Sequence, residues 1–238
     1  MCDIDIWEKY KKINKIGYGI YGNVYKIKDK NTGDYYAIKE IKKEKYEIIE
    51  NILLEEMNKI KIENKISIKK IINNKEYLYI LMDLCEYNLG EYIKRKNKPI
   101  SINEIKLILN QLNNIFKIIS NEKIIYGDLN LNNILIYLDR LDKCIIKLSY
   151  SSKFINQSNI KNENLLTASP EILKGEKMNI KNDIWSLGII IYYMLFKEYP
   201  YKGKEKEEIL KEIESNKKLK CCNDDKLNDL LNICFIFV

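Results

Sequence analysis

The stretch Tyr126-Gly127-Asp128-Leu129-Asn130-Leu131-Asn132-Asn133 decides how this sequence is read. It follows a helical pattern and precedes the β-rich run Ile134-Leu135-Ile136. An aspartate and an asparagine five positions apart on such a loop offer one carboxylate and one amide to a common site. Upstream, Ser101-Ile102-Asn103-Glu104 has the form of a capping box. Ile105, Leu107, Ile108, Leu112, Ile115 and Ile118 then supply an apolar pattern that predicts a long helix delivering the chain to Tyr126. Downstream, Cys144-Ile145-Ile146-Lys147-Leu148 reads as a strand.

Composition narrows the chemistry. The 238 residues suffice to bury a sizeable core. Lys+Arg number 41 against 34 Asp+Glu, a net charge of +7, with acids interspersed throughout. That predicts a mixed-charge surface and no nucleic-acid partner. The chain has no histidine, which excludes histidine triads, histidine metal sites and a histidine base. The six cysteines (Cys2, Cys85, Cys144, Cys221, Cys222 and Cys234) form no C-x-x-C pair and mostly sit in apolar runs, as expected of reduced thiols in a cytoplasmic protein. Met1-Cys2-Asp3-Ile4-Asp5 is acidic and unlike a secretory leader. The longest apolar run, Leu187 to Phe196, falls short of the roughly 20 residues a membrane span needs.

In the N-terminal third, Gly17, Gly19 and Gly22 form G-x-G-x-x-G. A dinucleotide fold would open a helix after the third glycine. Here Val24, Lys26 and Lys28 alternate with Tyr25 and Ile27, which is strand periodicity. Asn31-Thr32-Gly33-Asp34 supplies turn chemistry, and Tyr35-Tyr36-Ala37-Ile38-Lys39 returns as a strand ending at Lys39. The glycines therefore lie at a hairpin tip, where backbone N–H groups can approach phosphate oxygens.

These segments together resemble the protein kinases. Gly17, Gly19, Gly22 and Val24 match the glycine-rich loop, and Ala37-Ile38-Lys39 matches the V-A-I-K strand. Asp128, Leu129 and Asn133 match H-R-D-L-K-P-x-N, Pro170-Glu171 matches A-P-E, and Asn182-Asp183-Ile184-Trp185-Ser186-Leu187-Gly188 matches D-x-W-S-x-G. The resemblance implies an α+β, bilobal fold in one domain: a β-rich N-lobe over 8–84, a hinge over 85–88 and a helical C-lobe over 89–238 that ends before the family's last helices. It implies an ATP site at Gly17, Gly19, Gly22, Val24, Ala37, Lys39 and Asn133, with the backbone of Asp83 and Cys85 reading adenine behind Met82. Glu56 (or Glu55), on a helix expected over Tyr46 to Ile62, would pair with Lys39. Asp128 would be the catalytic base and Asn133 a metal ligand. Asp183 would anchor the loop that carries Asp128.

The departures matter as much. Tyr126, Gly127, Asn130 and Leu131 replace the family's His, Arg, Lys and Pro. Gly127 removes the cation that pairs an activation-loop phosphate and is expected to loosen the backbone. Asn130 carries no charge for the transferring phosphoryl group. Where D-F-G belongs, the chain reads Ser149-Tyr150-Ser151-Ser152-Lys153, leaving no carboxylate for Mg²⁺. Asp139 and Asp142 fall at the other end of the strand. Loss of one such electrostatic group commonly lowers a rate by about 10²–10³-fold. The Arg that usually pairs with Glu171 is also missing, and the apolar end from Cys234 is expected to weaken the lobe or to bury itself in a partner. Three readings follow: a pseudokinase that binds nucleotide and a protein partner, a weakly active Ser/Thr kinase acting on a protein substrate, or a decaying copy that folds poorly.

Overall fold

A computed structural model describes residues 5–19, 22–42, 66–96, 98–121, 125–139, 143–149, 162–215 and 218–235. A short helix α1 (Ile6–Lys9) leads into β1 (Tyr10–Gly19), β2 (Gly22–Asp29), β3 (Tyr35–Lys42), β4 (Ile68–Asn73) and β5 (Tyr77–Met82). These strands form one antiparallel sheet in the order β1-β2-β3-β5-β4. The β1–β2 ladder closes at Gly19 opposite Gly22. The β2–β3 turn is pinned by buried Asp29, whose carboxylate accepts the N–H groups of Asn31 (2.8 Å) and Thr32 (3.3 Å). Gly33 takes the left-handed position there, at φ 81°.

β3 does not stop at Lys39. It continues through buried Ile41 to Lys42, so Lys39 lies inside the sheet, opposite Val24 of β2 and Ile80 of β5. The period of two sets Ala37, Ile41, Leu78, Ile80 and Met82 in one apolar cluster. Ile27, Ile38, Tyr79 and Leu81 form another, with Ile6 and Tyr10. Lobe packing therefore begins at Ile6, where Asp5 caps α1 and Trp7 meets Tyr79 edge-on at 5.7 Å. The helix expected over Tyr46 to Ile62, with Glu55 and Glu56, lies outside the described residues.

The second lobe opens with β6 (Tyr87–Asn88), inside the segment read as hinge, and α2 (Leu89–Arg95). Next come α3 (Ile102–Asn121), β7 (Ile134–Leu138), β8 (Cys144–Leu148), a 3₁₀ turn at Asn162–Thr167 and four helices: α4 (Pro170–Leu173), α5 (Ile180–Phe196), α6 (Lys206–Glu214) and α7 (Asp225–Phe235). β6, β7 and β8 make a small antiparallel sheet. The molecule is thus α+β and bilobal. No helix among the described residues is long and apolar enough to cross a membrane.

α3 corrects two details of the sequence reading. Its buried stripe is Ile105, Ile108, Leu112, Ile115 and Ile119, at alternating spacings of three and four. Leu107 and Ile118 lie off that stripe and are exposed. Ser101 Oγ accepts the Glu104 N–H at 3.3 Å, but the Glu104 carboxylate turns to Lys96 Nζ (2.6 Å) and the Tyr92 hydroxyl (2.5 Å). A lysine and a phenol within reach outcompete the backbone N–H that a capping box would use.

α5 runs through the middle of its lobe, with Ile189, Ile190, Ile191 and Met194 fully buried. Reciprocal bonds between Asn179 and Asn182 cap it. Gly188 lets α7 approach, since a Cβ there would lie 2.6 Å from Cys234 Cβ. Phe235 packs edge-on to Trp185 at 5.0 Å, and Tyr201 stacks on the same indole at 6.0 Å. Cys234 and Phe235 thus pack within the lobe, and residues 236–238 lie outside the described set. Gly188→Ala should overpack this contact and lower stability by about 1–3 kcal/mol, read as a lower urea midpoint at unchanged slope. An unchanged midpoint would show that α7 is free to shift.

Candidate functional site

The hinge end of the cleft is apolar. Val24, Ala37, Met82, Leu84, Cys85 and Leu135 share one cluster. Leu135 was missed from the sequence, although β7 shows why it is there. Ile134 and Ile136 are fully buried in the C-lobe core, so the residue between them faces the other way, toward the N-lobe. Burial pushes the Cys85 thiol up to about 12, which makes it an inert apolar wall.

Asp83 does structural work that the sequence did not predict. Its N–H donates to Ser67 O at 3.1 Å. Its carboxylate accepts from Lys147 Nζ of β8 at 2.7 Å and from Lys69 Nζ of β4 at 2.9 Å, tying both lobes to the hinge. Burial alone would raise the Asp83 pKa, but the two lysines outweigh it and hold it below the ordinary 3.8. A depressed carboxylate stabilises above its unfolded pKa and loses that contribution as pH falls through its folded one. Asp83→Asn should therefore cost about 1 kcal/mol at pH 7, discounted for partial exposure. In urea unfolding at stepped pH, the gap to wild type should close below about pH 4. A constant gap would place the effect in packing instead.

At the glycine-hairpin end the three loop glycines are not equivalent. A Cβ at Gly22 would sit 1.8 Å from the Glu40 carbonyl oxygen, whereas one at Gly17 would meet Val24 at an ordinary 3.6 Å. Gly19 pairs with Gly22, and Ile20 and Tyr21 lie outside the described residues. Lys39 is half-buried below this hairpin. Burial lowers its pKa, and the negative charge of Asp128 opposes that shift. The fold thus brings Lys39 and Asp128 within electrostatic reach across the cleft. Glu56, the partner expected for Lys39, is outside the described set.

The loop carrying Asp128 is held from below. Asp183, only 3% exposed, accepts the backbone N–H of Tyr126 through Oδ2 and that of Gly127 through Oδ1, both at 2.8 Å. Gly127 has φ 71°, and a Cβ there would lie 2.4 Å from Met178 Sδ. The backbone expected to be loose is therefore clamped between a buried carboxylate and a thioether. Glycine suits both the left-handed backbone and the space left by Met178.

Asn130 and Asn133 turn inward. Asn130 Nδ2 donates to the carbonyl of Asp128 (2.9 Å) and to its Oδ1 (3.3 Å), and Asn130 Oδ1 accepts from the N–H groups of Asn132 and Asn133. Asn133 Nδ2 donates to the Asp128 carbonyl at 2.8 Å. Its Oδ1 accepts the Ser149 hydroxyl at 3.0 Å. The Ser149 N–H donates to Asn133 O at 2.9 Å, and the Tyr126 hydroxyl donates to Ser149 O at 2.9 Å. Tyr126 thus reaches the end of β8 from the position the family gives to histidine. Asp139 accepts the Lys143 N–H in the β7–β8 turn, away from this group. Asp142, Tyr150, Ser151 and Ser152 lie outside the described residues.

Magnesium does not fit this donor set. It wants several hard oxygen ligands, carboxylates foremost. Asp128 Oδ1 is engaged by Asn130, Asn133 Oδ1 by Ser149 and Asn130 Oδ1 by two backbone N–H groups, and no acid occurs between Lys143 and Glu163. No cluster of acidic or thiol side chains able to hold a metal exists among the described residues. Beyond the loop, buried Ser169 caps α4 and accepts from Asn182 Nδ2 at 2.5 Å. Glu171 makes no ion pair among the described residues.

A family model described as the protein kinase domain matches residues 10–233. The chain is 34% identical over 209 residues to calcium-dependent protein kinase 5 of Plasmodium falciparum (isolate 3D7), covering 84% of this chain and 36% of that protein. It is 26% identical over 211 residues to serine/threonine-protein kinase 33 of Mus musculus, covering 82% and 43% respectively. It is 27% identical over 218 residues to cyclin-dependent kinase G-2 of Oryza sativa subsp. indica, covering 87% and 30%. The chain spans well under half the length of these relatives. Its ordered motifs, its bilobal α+β fold and this match over nearly its whole length agree: the chain belongs to the eukaryotic-type protein kinase family.

Proposed function

We propose that the chain is a pseudokinase: a module that holds ATP in the interlobe cleft, performs little or no phosphotransfer, and acts by binding a protein partner in the cytoplasm. The observation that carries this reading is the inward turn of the catalytic loop. Asn130 and Asn133 donate to Asp128, Ser149 donates to Asn133, and the described residues hold no acidic cluster that would bring a cation to the phosphates. The adenine end supports nucleotide binding through Val24, Ala37, Met82 and Leu135, with Lys39 set below the glycine hairpin. Within this reading Lys39, whose pKa burial depresses, is the cation that meets the phosphates.

A second reading, a weakly active Ser/Thr kinase, has one observation in its favour. Asp128 faces Lys39 across the cleft, as a base beside a bound phosphate would.

The nucleotide half of the proposal is tested by calorimetric titration of ATP into wild type and Lys39→Met. Loss of a charge-assisted contact should weaken binding by about 10–100-fold. Equal affinity in the variant would remove Lys39 from the site.

A further inference from the structure

We propose that Ser149 makes the phosphate end of this cleft select nucleotide without its divalent cation. This deepens the pseudokinase reading and rests on it. Ser149 stands just past the last rung of the β7–β8 ladder. Ile134 pairs with Leu148, and the ladder extends by one bond, Ser149 N–H to Asn133 O at 2.9 Å. The Tyr126 hydroxyl holds the Ser149 carbonyl at 2.9 Å. With its backbone fixed at both N–H and C=O, Ser149 has its hydroxyl 3.0 Å from Asn133 Oδ1.

That oxygen is the amide acceptor beside Asp128, and the Ser149 hydroxyl takes up one of its two lone pairs. The amide is held in this orientation, because its Nδ2 donates to the Asp128 carbonyl at 2.8 Å. The neighbouring carboxylate is engaged by Asn130 and lies in the field of Lys39. Among the described residues, what remains at this end is the cation Lys39 and hydrogen-bond donors. Such a set suits a bare polyphosphate, whose own charge Lys39 meets directly. A metal-bound nucleotide has part of that charge already neutralised and brings a dication toward a lysine, where Asn133 Oδ1 and Asp128 Oδ1 already accept hydrogen bonds.

The consequence is a reversed magnesium effect. In EDTA the protein should bind ATP; with Mg²⁺ in excess most ATP is withdrawn into its metal complex, and apparent affinity should fall by about 10-fold or more. Calorimetric titration of ATP in EDTA and in excess Mg²⁺, on wild type, Ser149→Ala and Ser149→Thr, tests this. Ser149→Ala frees Asn133 Oδ1, so its affinity in EDTA should match wild type while its Mg²⁺ penalty shrinks at least threefold. Ser149→Thr keeps the hydroxyl and should restore the penalty. A merely structural serine would change both conditions alike. Wild type binding equally or more tightly in Mg²⁺ would overturn the inference while leaving a nucleotide site in place. An unchanged penalty in Ser149→Ala would overturn the assignment to Ser149. No binding of ATP in EDTA would overturn the nucleotide reading and this inference with it.

Discussion

Asp183→Ala should destabilise the protein by about 2–5 kcal/mol. The estimate comes from the two backbone donors that this carboxylate satisfies, the N–H groups of Tyr126 and Gly127, each at 2.8 Å and set deep in the lobe. A buried donor left without an acceptor costs about 1–3 kcal/mol, and bonds to a charged acceptor lie at the upper end. A small cavity lined by Gly127, Met178 and Asp183 adjoins these donors, and a water admitted there would bring the loss toward the lower end of that range. Asp183→Asn keeps one acceptor oxygen and should lose roughly half as much. Equilibrium urea unfolding of the three proteins measures the series. A loss under about 1 kcal/mol for Asp183→Ala would mean that the loop is held by something other than this clamp.

The second large effect runs against intuition, because it concerns a substitution that restores the family's residue. Gly127→Arg should destabilise by about 2–5 kcal/mol. A side chain at φ 71° costs roughly 1–2 kcal/mol, and forcing a Cβ to within 2.4 Å of Met178 Sδ adds an overpacking term of about 1–3 kcal/mol. The two terms separate in the double variant Gly127→Arg, Met178→Ala. Shortening Met178 should recover most of the packing term and none of the backbone term, so the two substitutions should be strongly non-additive. Additive losses would show that Met178 does not fill the place of the missing side chain. The loop has thus closed around the loss of arginine, and a single reversion does not reopen it.

Much of this was legible in the sequence because local rules and tertiary context agree there. The period-two alternation around Val24 and the turn Asn31-Thr32-Gly33-Asp34 predict the β2–β3 hairpin that forms. The apolar run after Asp183 predicts the buried helix α5. What was not legible depends on partners distant along the chain. Nothing local says that Lys39 lies inside β3, because its place is set by Val24 and Ile80 on neighbouring strands. Gly127 reads as a flexible residue until Met178 and Asp183 are seen on either side of it. The Glu104 carboxylate fits a capping pattern until Lys96, on the adjoining segment, takes it. Leu135 carries the one signal that could have been read: it is the odd member of an alternating strand, and its neighbours are committed to the core.

The same contrast governs the candidate site. Residue types revealed the missing carboxylate after β8 and the missing charge at Asn130. They did not reveal that Asn130 holds the Asn133 backbone N–H and that both amides donate to Asp128. A site that had only lost groups would keep open valences toward the cleft. Here the Asn130 and Asn133 side chains bond within the loop, to the Asp128 carbonyl.

The central claim, that a kinase fold persists here without kinase chemistry, is tested most directly by single-turnover transfer from γ-labelled ATP. Enzyme in excess is incubated with Mg²⁺ or Mn²⁺ and a generic Ser/Thr protein substrate, with wild type run beside Asp128→Asn. The account predicts label on substrate and on the chain itself at the same background level for both proteins. Incorporation by wild type that Asp128→Asn abolishes would contradict it and establish Asp128 as a working base.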